Sequence, residues 1–318
     1  MSMYVVNDLH GNSALIEKTI NAIGRMAGGD VLIVNGDGAG ARGPRMNKIV
    51  KIFYEVRRGE TDYEELISAL AEIIGKKPDI PKSWVFDSVH AGLFRAVMAK
   101  HFEAFKECVE AEILEVLEET LRPLAEAAKE KGIKIFYVPG NGEIVPGDFS
   151  TEDISVEQTL PPEERFYQKI AKEGYFSGFG VEYVPYACNL FNGVALLSSN
   201  LLDLDSKEAL GILKDNGLLD SELRTVVVHY PPAISPTGRV FSFWNPNKVD
   251  VSRIDALNKI LDELQLQNAA IFFGHVHLPA TDPRMDYYPP IIGFGYEKDY
   301  TGLWVKPGEV IEVRTKPV

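Results

Sequence analysis

Apolar positions along the chain form two kinds of pattern. Short continuous apolar runs at residues 3–6, 30–35 (DVLIVN), 133–138 (IKIFYV), 193–198 (GVALLS), 224–228 (RTVVV) and 269–273 (AAIFF) read as buried strands. Between the first two, residues 12–26 place Leu15, Ile16, Ile20 and Ile23 on one helical face. Strand, loop, helix and strand in that order predict a βαβ opening, with side chains for chemistry on the loops that follow the strands.

From residue 44 to residue 131 the spacing turns helical. Pro44 suits a helix start. Residues 63–74 and 83–119 carry apolar residues at three-to-four spacing, and Pro78 and Pro81 separate them. Pro123 is expected to end or kink a further helical pattern. Because a strand pattern resumes at 133, these helices lie inside the α/β order. The organisation expected is a single domain over 1–318 with an inserted helical subdomain at about 60–110. The C-terminus predicts a β-hairpin, 301–305 and 309–314 around Lys306-Pro307-Gly308. The stretch 143–186 shows no clear element. Its aromatics (Phe166, Tyr167 and Phe176 among them) suit core packing, although some could stack a base or sugar.

Composition narrows the function. Of the 318 residues 45% are hydrophobic, enough for a large core, and the formal net charge is −13. No apolar run reaches the roughly 18 residues of a membrane span. Residues 3–6 run straight into Asn7-Asp8 with no basic-then-apolar leader, so a cytoplasmic protein is expected. Cys108 and Cys188 have no ligand spacing and read as buried, reduced thiols. The acidic balance disfavours a nucleic-acid binder, which needs a basic stripe. It leaves room for a small phosphorylated substrate, since bound divalent cations make a site locally positive.

Five of the strand patterns end in polar blocks. These are Asn7-Asp8-Leu9-His10-Gly11-Asn12, Asn35-Gly36-Asp37, Pro139-Gly140-Asn141-Gly142-Glu143, His229-Tyr230-Pro231-Pro232 and Gly274-His275-Val276-His277. Each alone is weak: an Asp-x-His is more often a turn or a cap, and one histidine after a strand is more often a core or surface residue. At the ligand-like positions they supply two Asp, one Asn and four of the six histidines, with no thiolate. Imidazole suits Zn, Fe and Ni, while carboxylate suits harder ions such as Mn. Carboxylates gathered without cations would repel one another. If the strands lie side by side, the blocks converge on one edge. Two Asp, one Asn and the four histidines of these blocks are therefore the candidate ligands.

The blocks DLHGN, GD, GNGE, H and GHVH, from residue 8 to 277, resemble those of the calcineurin-like metallophosphoesterase superfamily. The resemblance implies a two-sheet β-sandwich flanked by helices, and two divalent metal ions (Mn, Fe, Zn or Ni) bridged by an Asp and a hydroxide. Carried over by position, Asp8, His10 and His277 resemble ligands of one metal and Asn141, His229 and His275 those of the other. Asp37 matches the bridging carboxylate. The activity implied is hydrolysis of a phosphate ester or anhydride. A nuclease of the same fold, or a weakly active or inactive scaffold binding a protein through the helical insert, remain alternatives.

Two positions qualify the resemblance. The third block usually continues with His, which assists the leaving oxygen, and Gly142 stands there instead. A good leaving group, low activity, or His90 or His101 from the insert would each account for this. His90 and His101, eleven positions apart, would share nearly one helical face. Ala41-Arg42-Gly43-Pro44 resembles the phosphate-gripping Arg segment of protein serine/threonine phosphatases and symmetrical diadenosine tetraphosphate hydrolases, one residue further from Asp37. Arg42 is thus either a substrate-phosphate ligand or a solvated residue before a helix.

Overall fold

A computed structural model describes residues 1–39, 44–87, 90–140, 165–191, 193–232, 251–275, 291–295 and 300–313. Two mixed sheets flanked by helices make an α/β fold. The first has the order β11-β1-β2-β3-β4, built from β1 (Met3–Asn7), β2 (Val31–Asn35), β3 (Lys134–Val138), β4 (Val181–Tyr183) and β11 (Ile311–Val313). Strands β1 to β4 are parallel, and β11 runs antiparallel against β1. The second has the order β5-β6-β7-β8-β10-β9: β5 (Ala187–Phe191), β6 (Val194–Leu197), β7 (Leu223–Val228), β8 (Leu266–Phe273), β9 (Ile291–Gly295) and β10 (Tyr300–Val305). Its inner pairs are parallel and its two edge pairs antiparallel.

Strand periodicity divides the core in three. On β1 to β3, Val6, Leu32, Val34, Ile135 and Tyr137 enter a cluster with the helices, and Met3, Val5, Val31, Ile33, Phe136 and Val138 enter another. On the second sheet, Leu197, Val226, Val228, Ile271 and Phe273 pack with α8 (Ser206–Asp215) and α9 (Val251–Glu263). Their alternates Val194, Leu196, Val227 and Phe272 join the same cluster as Val5 and Ile33, so one core is shared by both sheets. Both faces of the central strands are buried, which is why these strands read as unbroken apolar runs.

The first helix, α1 (Ser13–Ile23), starts at Asn12, whose side-chain oxygen accepts from the amides of Ala14 and Leu15 at 3.0 and 3.3 Å. This satisfies two of the amides that an α-helix leaves open at its start. Between β2 and β3 come α2 (Pro44–Arg58), α3 (Tyr63–Ile74), α4 (Lys82–Asp87) and α5 (His90–Lys131). Pro123 does not end α5. A proline within a helix costs about 3 kcal/mol, but Leu121 and Leu124 flank it fully buried, each worth roughly 1.5–3 kcal/mol. The non-helical residue in α5 is His101, at φ −140° and ψ 34°.

The expected C-terminal hairpin does not form. Strand β10 pairs with β8 and β9 in the second sheet, whereas β11 pairs with β1 in the first. The turn carries the chain from one sheet to the other. Gly308, at φ +67°, donates its amide to the Asn7 carbonyl at 2.9 Å and leaves no room for a Cβ against Leu15. Tyr167 and Phe176 are core residues, on α6 (Phe166–Lys172) and α7 (Tyr175–Gly178). Cys108 and Cys188 are free thiols, half-buried and not fully buried as expected, and burial pushes both thiol pKa values up. No helix among the described residues is long and apolar enough to cross a membrane.

Candidate metal centre

The ends of β1, β2, β7 and β8 meet where the sheets face each other, so the donor blocks come from two sheets and not from one edge. Asp8, Asp37 and His229 each present a ligand atom within 4.8 Å of the others. All three are buried, at 0%, 4% and 0% exposure. His229 Nε2 stands 3.6 Å from Asp37 Oδ2, and His229 Nδ1 stands 3.8 Å from Asp8 Oδ1. His10 Nε2 reaches to 3.8 Å from Asp37 Oδ2 on the more open side, with its side chain 36% exposed. These separations exceed a hydrogen bond. The two Nε2–Asp37 Oδ2 separations suit donors that each lie about 2.0–2.2 Å from a shared ion. Carboxylate oxygen plus imidazole nitrogen is also a donor set for divalent transition metals. This cluster could hold a metal ion.

Backbone geometry singles out the same residues. Among the described residues, positive φ outside glycine occurs at Asp8 (55°), His10 (47°), Asp37 (49°), His275 (65°) and Asn268 (47°). Four of the five are candidate donors. A non-glycine residue in the left-handed region costs of order 1–3 kcal/mol, and such positions cluster at functional sites. The donor reversals lie one to three residues past the ends of β1, β2 and β8. The reversals are tied to one another: Asp8 N to Gly36 O at 3.3 Å, His10 N to Asp37 O at 2.7 Å, and His275 N to Asp8 Oδ2 at 3.3 Å.

Glycines let the backbone close on the donors. A Cβ on Gly36 would overlap the His229 ring, one on Gly140 would lie 2.5 Å from Asp37 Oδ1, and one on Gly274 would lie 2.6 Å from Asp8 Oδ2. His229 Nδ1 is 3.3 Å from the Asn35 carbonyl oxygen. A hydrogen on Nδ1 shared with that carbonyl leaves the Nε2 lone pair for an ion beside Asp37, the usual way a second partner fixes a ligand's tautomer.

Sequence reasoning missed the residues that brace this arrangement. Asn7 Nδ2 donates to Val305 O at 3.4 Å and Asn35 Nδ2 to Val228 O at 3.0 Å, each joining a strand end of one sheet to the other sheet. Their signal was an Asn closing each strand before its Asp block. Tyr137 Oη accepts the Gly38 amide at 3.1 Å, just beyond Asp37. Nothing in local periodicity separates Tyr137 from its core neighbours.

Of the other sequence candidates, His275 lies beside His229, with ring centroids 5.2 Å apart. His229 and Asp8, which the resemblance allots to different metals, are neighbours here, with Asp37 common to both. Asn141, Gly142, Arg42 and His277 lie outside the described residues, as does the side chain of His90.

No family model and no curated protein matches the chain. Among solved structures, one crystal structure aligns over 98% of this chain and 94% of its own, at 14% identity and a TM-score of 0.45. A second, phosphopantetheinyl hydrolase (PptH) from Mycobacterium tuberculosis, aligns over 96% of this chain and 90% of its own, at 11% identity and a TM-score of 0.37. Likeness at that level assigns no activity.

Proposed function

We propose that the chain is a metallophosphoesterase, a sandwich of two sheets that hydrolyses a small phosphate ester or anhydride with two divalent cations. The observation that carries this reading is the buried Asp8–Asp37–His229 cluster at strand ends, with Asp8 and Asp37 in left-handed conformations. In this reading Asp37 serves both ions. Asp8, His10 and His277 complete one set, and Asn141, His229 and His275 complete the other. Cations bound there would lower the pKa of a water to about 7 and hold phosphoryl oxygens. The chain's own residues fix the donors: Asn35 sets the His229 tautomer, and Gly36, Gly140 and Gly274 admit the backbone close to the ligating atoms. Partly exposed His10 marks the side from which a substrate phosphate approaches, and Arg42 follows Asp37 closely enough in sequence to meet it. With Gly142 in the third block, activated diesters and anhydrides are the preferred substrates.

The test is metal analysis of the purified protein with hydrolysis of bis-p-nitrophenyl phosphate and p-nitrophenyl phosphate in added Mn²⁺. Two bound ions and metal-dependent turnover, abolished in Asp37→Asn, are expected. Bound metal without turnover on either ester, or on a pyrophosphate substrate, would instead favour a scaffold.

A further inference from the structure

Beside the metal centre lies a buried chain of polar side chains that the chemistry above does not use. Tyr230, 1% exposed, follows His229 directly, and its ring centroid is 4.4 Å from that of His275 at an interplanar angle of 38°. Arg253, on α9, donates from Nη1 to Tyr230 Oη at 2.9 Å. The same guanidinium grips Asp203 through both oxygens, Nε to Oδ1 at 2.7 Å and Nη2 to Oδ2 at 3.0 Å. Asp203 closes the short 3-10 segment Ser199–Asp203 and also accepts from Arg165 Nη1 at 2.7 Å. Arg165 and Arg253 are 2% and 6% exposed. Burial alone would lower the Arg253 pKa, but Tyr230 and Asp203 outweigh it and raise it, so the guanidinium stays charged.

Two buried cations around one carboxylate are costly to assemble, and a bidentate guanidinium–carboxylate pair is the most directional contact available. Arg253 meets the Tyr230 hydroxyl and also lies over its ring at 5.8 Å, and that ring packs against His275. His275 occupies a left-handed backbone position at φ 65°, two residues past the end of β8. Its ring also meets that of His229 in an edge-on contact, with centroids 5.2 Å apart at 68°. A tilted contact with a phenol whose hydroxyl is itself held limits rotation of the imidazole.

We infer that Tyr230 is a positioning residue for His275, with Arg253, Asp203 and Arg165 as its anchor. The ring of Tyr230 holds the imidazole in its ligating orientation, and the hydroxyl holds the ring. The inference rests on His275 being a metal ligand. It assigns to the residue after the ligand His229 a role that no motif supplies.

The experiment is a cobalt(II) titration of the full chain, read by calorimetry and by the visible d–d bands. Wild type, Tyr230→Phe, Tyr230→Leu, His275→Ala and the Tyr230→Leu/His275→Ala double variant are compared. Tyr230→Leu should weaken cobalt binding roughly 10-fold and change the d–d bands, as loss of an outer partner does. Tyr230→Phe, which keeps the ring and its volume, should lie between Tyr230→Leu and wild type. In the His275→Ala background Tyr230→Leu should have no further effect on affinity, because the ring it would orient is gone. Additive losses in the double variant, or wild-type affinity and bands in both Tyr230 variants, overturn the inference alone. Absence of cobalt uptake by wild type overturns the metal reading and this inference with it. If Tyr230→Leu does not fold, Tyr230→Phe with and without His275→Ala decides the question by the same comparison.

Discussion

Gly36 and His229 occupy one another's space: a single methyl at position 36 would overlap the imidazole, which sits where the Gly36 side chain would be. The two lie on β-strand ends of different sheets, so the glycine is where the sheets close on the candidate metal. Gly36 also has φ +79°, a conformation that other residues enter at a cost. Gly36→Ala should therefore destabilise the fold by about 1–3 kcal/mol from overpacking. It should also lower metal uptake by displacing His229. Denaturant midpoints and metal content check both, and a variant indistinguishable from wild type in each would contradict the packing described.

Metal binding should be visible as stability. The donors gather in the folded chain only, so an ion at 100 times its dissociation constant adds about 2.7 kcal/mol. Thermal melts with Mn²⁺, Zn²⁺, Fe²⁺ or Ni²⁺ against a chelator should show the increase, and Asp37→Asn should remove it. Identical melts with every ion and with chelator would count against the site.

Glu112 on α5 predicts a pH effect. Its carboxylate meets Arg45, Nε to Oε1 at 3.1 Å, and accepts the Arg45 amide at 3.1 Å. Burial nevertheless pushes its pKa above the usual 4.5, with Arg45 working only partly against it. A carboxyl raised on folding favours the fold below its unfolded pKa and loses that contribution as pH rises through the folded value. Glu112→Gln stays neutral throughout. Relative to wild type, the variant should gain stability between pH 4 and pH 7. Paired melts at the two pH values measure this, and a difference of the opposite sign would show that Arg45 dominates.

Asp203 is the one carboxylate found between Arg165 and Arg253 among the described contacts. Asp203→Ala leaves two guanidiniums buried without it, and breaking a buried pair in this way costs about 3–5 kcal/mol. Urea unfolding is the measurement. A loss below roughly 1 kcal/mol would place the three side chains in solvent exchange, against their burial, since exposed pairs contribute only that much.

Much of the fold was legible because its signals are local. The apolar runs of β1, β2, β3, β6, β7 and β8 stood out since strands buried on both faces carry no polar alternates. The helical spacing of α1 and α3 was equally plain. Strand β5 was not, because Ala187–Phe191 is only partly buried and mixes in Cys188 and Asn189. Pro123 does not end α5 because the local cost of proline is read from one residue, while the burial of Leu121 and Leu124 that outweighs it depends on packing partners elsewhere in the chain.

The sequence by itself determined the donor types and that each follows a strand, because an Asp or His after an apolar run is a feature of adjacent residues. Asp8, Asp37, His229 and His275 were identifiable on that basis. Only the tertiary structure decided that they come from two sheets, that β10 and β11 part company across Gly308, and that Tyr230 leans on His275 with Arg165, Asp203 and Arg253 behind it. Those contacts join residues far apart in the chain. They follow from close packing of whole sheets and helices, which the period of any single segment does not record.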